Sequence, residues 1–295
     1  MGFLRGCVLV LIGGLLSPMV NGESFELKDG DKVVFLGNTL IERAGLYGHL
    51  ETAFLTRWPD RSLTFRNLGW SADNVTGRSR DYFFKRGDGY RRLTGKINEL
   101  KPTVIFVAYG TNESFAGPAG LDAFQKNLSK LLTDITKGGA RLVLLSPLRQ
   151  GDWAAPAQVA KNNENLKLYA DAIKGEAEQR KVPFVDLYKE ESLTKATYNS
   201  IHLDEKGYRV FAEVVERALG LPEIKRDDSE AIRKLVVEKN EFFFHQWRPA
   251  NETYIFGHRR REQGRNATEM PKFTPLIEAK EKEIDALRLA QGGAK

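Results

Sequence analysis

Three polar residues of the 295-residue chain stand where side chains commonly do chemistry. Thr39 comes shortly after an apolar run at residues 33–36, and Asn112 follows a second apolar run at residues 103–108. His202 lies in a polar segment before a helical pattern. An alcohol, an amide and an imidazole are the groups that acyl transfer needs, as nucleophile, donor to the developing oxyanion and general base.

Thr39 also has a structural interpretation. Glu42 follows it by three residues, and this spacing fits a capping box, in which the two side chains satisfy free amides of the first helical turn. For a strand, a turn and a helix taken alone, the sequence favours this capping role. Only partners elsewhere in the chain make Thr39 a candidate nucleophile.

The elements that must position these residues alternate between strand and helix patterns. The run 103–108 is short, continuous and apolar, which is typical of a strand buried on both faces. Predicted strands lie at 33–36, 63–68, 103–108, 141–145 and 182–187, and predicted helices at 41–58, 88–100, 121–136, 159–180 and 204–219. This alternation indicates a parallel sheet with helices on both faces, a three-layer α/β/α architecture.

Polar clusters follow two of these strands and precede the last helix. They read NLGWSADN at 67–74, YGTNES at 109–114 and YNSIHLDEKGY at 198–208. In an open parallel sheet, ligands bind in the crevice beside the carboxyl ends of the strands. We therefore expect the three clusters to face one crevice together with Thr39.

Four of these segments resemble the sequence blocks of the SGNH, or GDSL-type, hydrolase family in order and spacing. They read GNTL from Gly37, NLGWSAD with its Gly69, GTNE from Gly110 and NSIHLDEKGY around His202. The resemblance covers roughly residues 31–220. It implies a flavodoxin-like fold with a five-stranded parallel sheet, and an ester hydrolase that uses no metal or other cofactor.

The resemblance also implies a role for each matched position. Thr39 stands at the nucleophile, His202 at the general base and Asn199, three residues earlier, at the residue that orients the imidazole. The backbone amide of Thr39, the amide of Gly69 and the side chain of Asn112 stand at the oxyanion hole.

Two of these positions depart from the family pattern. Thr39 replaces the nucleophilic serine, and its extra methyl group restricts χ1 and crowds the reacting carbon. Asn199 replaces an aspartate, so the charge that stabilises the imidazolium is missing. In serine proteases the equivalent aspartate-to-asparagine change lowers turnover about ten-thousand-fold. Asp204 and Glu205 offer replacement charges, although acids at the start of a helix more commonly favour its dipole.

Further substrate contacts are predicted from Asn38 and Glu113, which flank the nucleophile and the oxyanion residue. The segment 221–295 has a different character, with a helix pattern at 228–239, an aromatic and arginine-rich stretch, and a second helix pattern at 275–289. Its Trp247, Asn251 and Tyr254 are candidates for stacking on a sugar or binding an anion if this extension folds over the crevice. The alternative is that the aromatics pack the extension onto the domain and the arginines form salt bridges.

The first 22 residues have the layout of a signal peptide, with one basic residue, a broken apolar run and small residues before Glu23. The protein is thus expected to be exported to the periplasm or outside the cell, without a stable membrane span after cleavage. The only cysteine, Cys7, lies in this segment, so disulfides are not expected. A hydrolase-like domain at 23–220 and a helical extension at 221–295 would follow. The net charge of +6 comes from interspersed basic and acidic residues, which does not indicate nucleic-acid binding.

Three hypotheses about function follow. The first is an exported hydrolase of a small ester or an acetylated carbohydrate, weakened by Thr39 and Asn199. The second is a catalytically impaired module that binds a glycan or an acyl group. The third is a subunit whose C-terminal extension recruits another protein. The hydrolase hypothesis predicts that the Thr39 hydroxyl lies within hydrogen-bond reach of His202, with Asn112 facing the same point.

Overall fold

A computed structural model describes residues 25–81, 85–151, 155–226, 229–262 and 266–292. Its centre is a five-stranded parallel sheet with the strand order β2-β1-β3-β4-β5. The strands are β1 (Lys32–Gly37), β2 (Thr64–Asn67), β3 (Val104–Ala108), β4 (Arg141–Leu145) and β5 (Phe184–Val185). This order is the flavodoxin-like one, and the predicted three-layer fold is confirmed.

The central strands are apolar throughout because both of their faces are buried. In β1, Val33 and Phe35 join one hydrophobic core, and Val34 and Leu36 join the other. Successive side chains of a strand point to opposite faces, so one strand supplies both layers. The sheet therefore needs helices on each side.

Ten α-helices surround the sheet within the described ranges. They are α1 (Thr39–Tyr47), α2 (His49–Arg57), α3 (Asp88–Leu100), α4 (Leu121–Ile135), α5 (Pro156–Arg180), α6 (Glu191–Lys195), α7 (Glu205–Ala218), α8 (Glu230–Trp247), α9 (Glu252–Ile255) and α10 (Phe273–Gly292). One core contains residues of α1, α2 and α7, and the other contains residues of α3, α4 and α5.

Several predicted boundaries differ from the structure. The single helix predicted at 41–58 is two helices, because Gly48 adopts a left-handed conformation with φ of 70° and ends α1. The last strand is shorter than predicted, and α8 continues eight residues beyond the predicted end at 239. The predicted signal peptide at residues 1–22 lies outside the described residues.

The C-terminal helices pack on the edge of the sheet that β2 forms. Helix α8 contacts α1, α2 and β2, and α10 packs along α8. The buried Lys239 of α8 donates to Glu51 of α2 at 2.5 Å and to the carbonyl of Phe65 in β2 at 3.2 Å. Arg66 of β2 donates to Glu281 of α10 at 2.5 Å. These contacts cover an edge strand that would otherwise be open to another chain.

None of the helices in the described part of the chain combines the length and the apolar character that crossing a bilayer requires.

Candidate active site

A pocket of about 230 Å³ lies at the carboxyl ends of β1 and β3. Thr39, Asn112 and His202 all line it, although they are separated by up to 163 positions in the sequence. The parallel sheet brings them together because the loops that follow its central strands share one edge. The predicted convergence of an alcohol, an amide and an imidazole on one crevice is therefore present.

Thr39 begins α1 without capping it. The cap is Asn38, whose side-chain oxygen accepts from the N–H of Leu40 at 3.1 Å. The Thr39 hydroxyl instead accepts from the N–H of Ala72 at 3.1 Å. Glu42 does not reach back to the helix start, and its carboxylate accepts from the N–H and the hydroxyl of Ser71 at 2.5 and 2.9 Å. The capping-box interpretation is wrong, and the hydroxyl is left facing the pocket.

The loop after β2 presents the amide of Ala72 to the pocket. The structure differs here from the prediction at Gly69, whose N–H donates to the Asn67 side chain at 2.8 Å. A Cβ at Gly69 would lie 2.1 Å from the backbone nitrogen of Glu42, so glycine is required there for close packing against α1. Ala72 lines the pocket and has a φ of 59°, a conformation that turns the loop beside Thr39.

The sequence analysis did not predict Ala72, because the motif position pointed to the amide of Gly69. The local signal was the run Ser71-Ala72-Asp73, in which a small residue precedes an aspartate at a turn. The side chain of Asp73 holds this loop in place. Its carboxylate accepts from the buried guanidinium of Arg80 at 2.5 Å and from the Tyr109 hydroxyl at 3.2 Å.

Asn112 is held in the pocket wall by the same loop. Its Nδ2 donates one hydrogen to the carbonyl of Asp73 at 2.6 Å, which leaves the second amide hydrogen for another acceptor. The adjacent Glu113 accepts from the N–H groups of Gly110 and Val75, each at 2.9 Å. Burial raises the pKa of Glu113 to about 7. Glu113 thus ties two loops together and does not line the pocket.

The contact between Asn199 and His202 sets the tautomer of the imidazole. The side-chain oxygen of Asn199 accepts from the backbone N–H of His202 at 2.8 Å and from the backbone N–H of Ile201 at 3.3 Å. Its Nδ2 therefore faces His202 Nδ1, at 2.9 Å, and an amide nitrogen can only donate. Nδ1 of the neutral ring is then an acceptor, and the proton sits on Nε2. An aspartate at residue 199 would favour the opposite tautomer.

Two more side chains flank the imidazole. The Tyr198 ring stacks on His202 with a centroid separation of 5.9 Å, and the Arg43 guanidinium donates to the Tyr198 hydroxyl. Burial and the charge of Arg43 lower the pKa of His202. Both effects favour the neutral ring.

Thr39 and His202 both line the pocket, but the predicted hydrogen bond between the Thr39 hydroxyl and His202 is not among the contacts of the described residues. The two nearby acids are occupied elsewhere. Asp204 caps α7 by accepting from the N–H of Gly207 at 2.7 Å, and Glu205 lies 3.6 Å from Arg233. Both contacts agree with the helix-start interpretation of these acids.

Residues 35–210 match the model of the GDSL-like lipase/acylhydrolase family. The chain belongs to this family. No curated protein matches the sequence significantly.

Solved structures with the same fold are distant in sequence. Axe2, an acetylxylan esterase from Geobacillus stearothermophilus, is 16% identical, with a TM-score of 0.55 over 69% of this chain and 100% of its own. LAE5, an α/β hydrolase from the metagenome of Lake Arreo, Spain, is 18% identical, with a TM-score of 0.54 over 67% and 99%. A gut microbial diltiazem-metabolizing enzyme is 21% identical, with a TM-score of 0.52 over 66% of this chain but only 48% of its own.

In this GDSL-like chain the predicted substrate contacts divide into two groups. Asn38 lines the pocket. Trp247 packs edge-on against Trp70 at 6.2 Å, Tyr254 lies under the guanidinium of Arg259 at 4.6 Å, and Asn251 is an exposed residue before α9. These three extension residues do not line the pocket, and the contacts of Trp247 and Tyr254 fit the packing alternative.

The extension of this GDSL-like acylhydrolase still reaches the loop that carries Ala72. Arg248 donates to Glu42 at 2.5 Å, and its guanidinium lies 4.2 Å from the centre of the Trp70 ring. Glu42 in turn holds Ser71. Within the described residues, no group of three or more His, Cys, Asp and Glu side chains is placed to bind a metal ion.

Proposed function

We propose that the protein is a slow ester hydrolase that acts on a small ester or an acetylated carbohydrate, with Thr39 as its nucleophile. The observation that supports this proposal is the convergence of Thr39, Ala72, Asn112 and His202 on one pocket. Family membership supports the reaction class. The Axe2 title names an acetylxylan esterase, which makes acetylated xylo-oligosaccharides a reasonable first carbohydrate to test.

In the proposed reaction, Thr39 Oγ1 attacks the acyl carbon of the ester while its proton passes to Nε2 of His202. The carbonyl oxygen becomes an oxyanion that receives hydrogen bonds from Asn112 and from the Ala72 amide, which changes its acceptor from Thr39 Oγ1 to the oxyanion as Oγ1 bonds to the acyl carbon. The N–H of Thr39 is a third donor, because the first amides of a helix have no acceptor within the helix. When the tetrahedral intermediate collapses, the bond to the alcohol breaks, and the alcohol leaves with the proton from His202. Water then attacks the acyl group on Thr39, gives a proton to His202, and releases the acid while Thr39 regains its proton.

Two features make this reaction slow. His202 must first move its proton from Nε2 to Nδ1 before Nε2 can accept one, and the Nδ2 group of Asn199 opposes that tautomer. The methyl group of Thr39 also crowds the tetrahedral carbon. The donors of the oxyanion hole are unaffected by either feature, and each such donor typically lowers the barrier by about 3 kcal/mol.

The experiment is an aryl acetate assay on the purified protein and a small set of variants. We expect weak hydrolysis that falls about a hundredfold or more in His202→Ala, in line with the loss of a general base. Thr39→Ala should abolish turnover, whereas Thr39→Ser should keep or raise it. His258→Ala removes an exposed histidine of the extension and is the matched control, with unchanged activity expected.

Hydrolysis that survives both Thr39→Ala and His202→Ala would contradict the proposal, because it would arise outside the pocket. Acetate release from acetylated xylo-oligosaccharide tests the carbohydrate substrate separately from the aryl ester.

A second candidate function is ligand binding without turnover. The specific observation in its favour is the Asn199 contact, which turns Nε2–H of His202 into a donor toward the pocket. Calorimetry with acetylated xylo-oligosaccharide tests it. Binding that is weakened by His202→Ala, together with no acetate release by the native protein or by Asn199→Asp, would favour this function.

We also propose that the protein is exported. The support is the arrangement of residues 1–22, in which an apolar run ends in small residues before Glu23. Expression in a bacterial host followed by N-terminal sequencing of the periplasmic and secreted fractions tests it. A mature chain that begins at or near Glu23 is expected, and a protein found only in the cytoplasm with residues 1–22 intact would contradict export.

A further inference from the structure

The pocket is rich in hydrogen-bond donors and lacks acidic side chains. No aspartate or glutamate of the described residues lines it. Besides Ala72 and Asn112, the polar residues Asn38 and Gln150 line it, and Arg149 contributes a guanidinium. With His202 neutral, Arg149 gives the lining a net positive charge.

Arg149 stands at the mouth of the pocket. It is exposed, and together with Ser200 it also lines a neighbouring groove, so its guanidinium is shared between the pocket and the space outside it. The other charged residues of that groove are Lys195 and Glu191, which pair with each other at 3.9 Å. Among the described residues Arg149 has neither an ion pair nor a hydrogen bond to its side chain. A guanidinium in this state is available to a ligand.

The backbone beside Arg149 is fixed more firmly than that of an ordinary surface loop. The N–H of Gln150 donates to Asn163 Oδ1 at 2.7 Å, and the carbonyl of Gln150 accepts from Asn163 Nδ2 at 3.0 Å. The Gln150 side chain accepts from Asn162 at 2.9 Å. These three bonds attach the loop to α5, so the position from which the Arg149 side chain extends is set in advance.

A second cation without a carboxylate partner stands near the pocket. Arg43 donates to the Tyr198 hydroxyl and lies 5.5 Å from the centre of that ring, which in turn stacks on His202. No ion pair joins Arg43 to an acid of the described chain. Arg43 therefore adds a second positive charge beside the pocket, next to the tyrosine that stacks on His202.

We propose that the pocket selects esters whose alcohol part carries a carboxylate, and that Arg149 is the specificity residue which binds this carboxylate. This inference rests on the proposed ester hydrolase function and names its substrate class. A guanidinium pairs with a carboxylate through two parallel N–H bonds, which suits a planar anion better than a neutral group. The carboxylate belongs to the alcohol part because Arg149 lies at the mouth, where the group that leaves first must exit.

The test compares two esters of similar shape and different charge, 4-acetoxybenzoate and 4-acetoxy-N-methylbenzamide. We expect the native protein to hydrolyse the anion with a kcat/KM about fivefold higher, the size of a partly solvated ion pair. The preference should disappear in Arg149→Gln, persist in part in Arg149→Lys and weaken as salt is added. Arg86→Gln, which removes an exposed arginine that does not line the pocket, should leave the preference unchanged.

Binding of the amide analogues 4-acetamidobenzoate and 4-acetamido-N-methylbenzamide, measured by calorimetry, separates this inference from the proposed function. Tighter binding of the anion that is lost in Arg149→Gln supports the inference even if no ester is turned over. Equal binding and equal hydrolysis of the charged and neutral members would overturn it while the hydrolase proposal stands. An anion preference that survives in Arg149→Gln would also overturn it, because another group would then carry the selectivity.

Discussion

The two sides of the pocket are built in different ways. The proposed oxyanion side, formed by the loop that carries Ala72 and by Asn112, rests on buried charge, whereas the side that carries His202 is a partly exposed loop oriented by a neutral amide. On the first side Asp73 and Arg80 are almost fully buried and meet at 2.5 Å. On the second, Asn199 accepts from the backbone N–H groups of Ile201 and His202 but donates to Nδ1 of the imidazole, where an aspartate would accept.

In the proposed acyl-transfer site, this difference teaches that the two halves can change separately. Donors to an oxyanion depend on backbone geometry, and the loop after β2 keeps that geometry through Asp73, Glu113 and Glu42. The base depends on which ring nitrogen holds the proton, and a single side chain decides that. A chain can therefore lose much of its turnover while its pocket keeps its shape.

The most severe way to break the oxyanion side is Arg80→Ala. The change leaves the Asp73 carboxylate buried without its cation and removes the guanidinium that lies 5.2 Å from the centre of the Trp70 ring. We expect the free energy of unfolding to fall by about 3 to 5 kcal/mol, measured by urea denaturation. The exposed Arg78 pairs with Asp81 at 3.4 Å, and Arg78→Ala should lower the free energy of unfolding by no more than about 1 kcal/mol. Equal losses in the two variants would contradict the structural role of the buried pair.

The base side should be repaired by Asn199→Asp. A carboxylate accepts from Nδ1–H and frees Nε2 to act as a base, so we expect kcat for an aryl acetate to rise about a hundredfold, less than the full effect of a triad aspartate because the threonine methyl group remains. Combining it with Thr39→Ser should raise kcat further. Asn98→Asp, at an exposed position of α3, is the matched control. An unchanged kcat in the double variant would show that the tautomer does not limit turnover.

The extension should affect the oxyanion side moderately. Arg248→Ala removes the ion pair with Glu42 and the contact with the Trp70 ring, and we expect stability to fall by about 1 to 2 kcal/mol. Because Glu42 also holds Ser71, kcat should fall about threefold with KM unchanged. Arg259→Ala, at an arginine that contacts only Tyr254 and Glu262 of the extension, should change neither quantity. A loss of stability without any loss of kcat would confine Arg248 to a packing role.

The smallest expected effect is on pH dependence. His202 acts as a base only when neutral, and burial with the Arg43 charge lowers its pKa. The kcat/KM of the native protein should therefore rise with pH at values below 6.5, the ordinary pKa of histidine. In Asn199→Asp the added negative charge favours the imidazolium, which raises the pKa and moves this rise to higher pH. A rise in the same place for both proteins would contradict the assignment of the acidic limb to His202.

Much of the fold could be predicted from the sequence because the strands carry their own signal. Runs such as 103–108 and 141–145 are short and continuously apolar, and they coincide with β3 and β4 to within a residue. The helix at 41–58 was predicted without its break, since a glycine inside a helical pattern does not show whether it adopts a left-handed conformation. The extent of α8 depended on packing against β2, which is a property of the tertiary structure.

The candidate site was predictable in part for similar reasons. The positions of Thr39, Asn112 and His202 at one pocket follow from strand order and motif spacing. The amide that lies beside Thr39 could not be identified in this way, because Gly69 and Ala72 belong to the same loop. Only the three-dimensional structure shows that the Gly69 N–H bonds within its own loop, to Asn67, whereas the Ala72 N–H reaches the Thr39 hydroxyl. The proposed role of Arg149 could not be predicted from the sequence either, since an arginine without an ion pair can be recognised only once the positions of the acids around it are known.

The pair formed by Lys239 and Glu51 has a consequence for how this protein can change over evolution. It joins the last quarter of the chain to the hydrolase-like body through opposite charges that are both buried. Burial raises the pKa of Glu51, and Lys239 supplies the charge that opposes this effect. Loss of the extension would remove that cation and uncover the β2 edge together, so we expect the body and the extension of this chain to be inherited together.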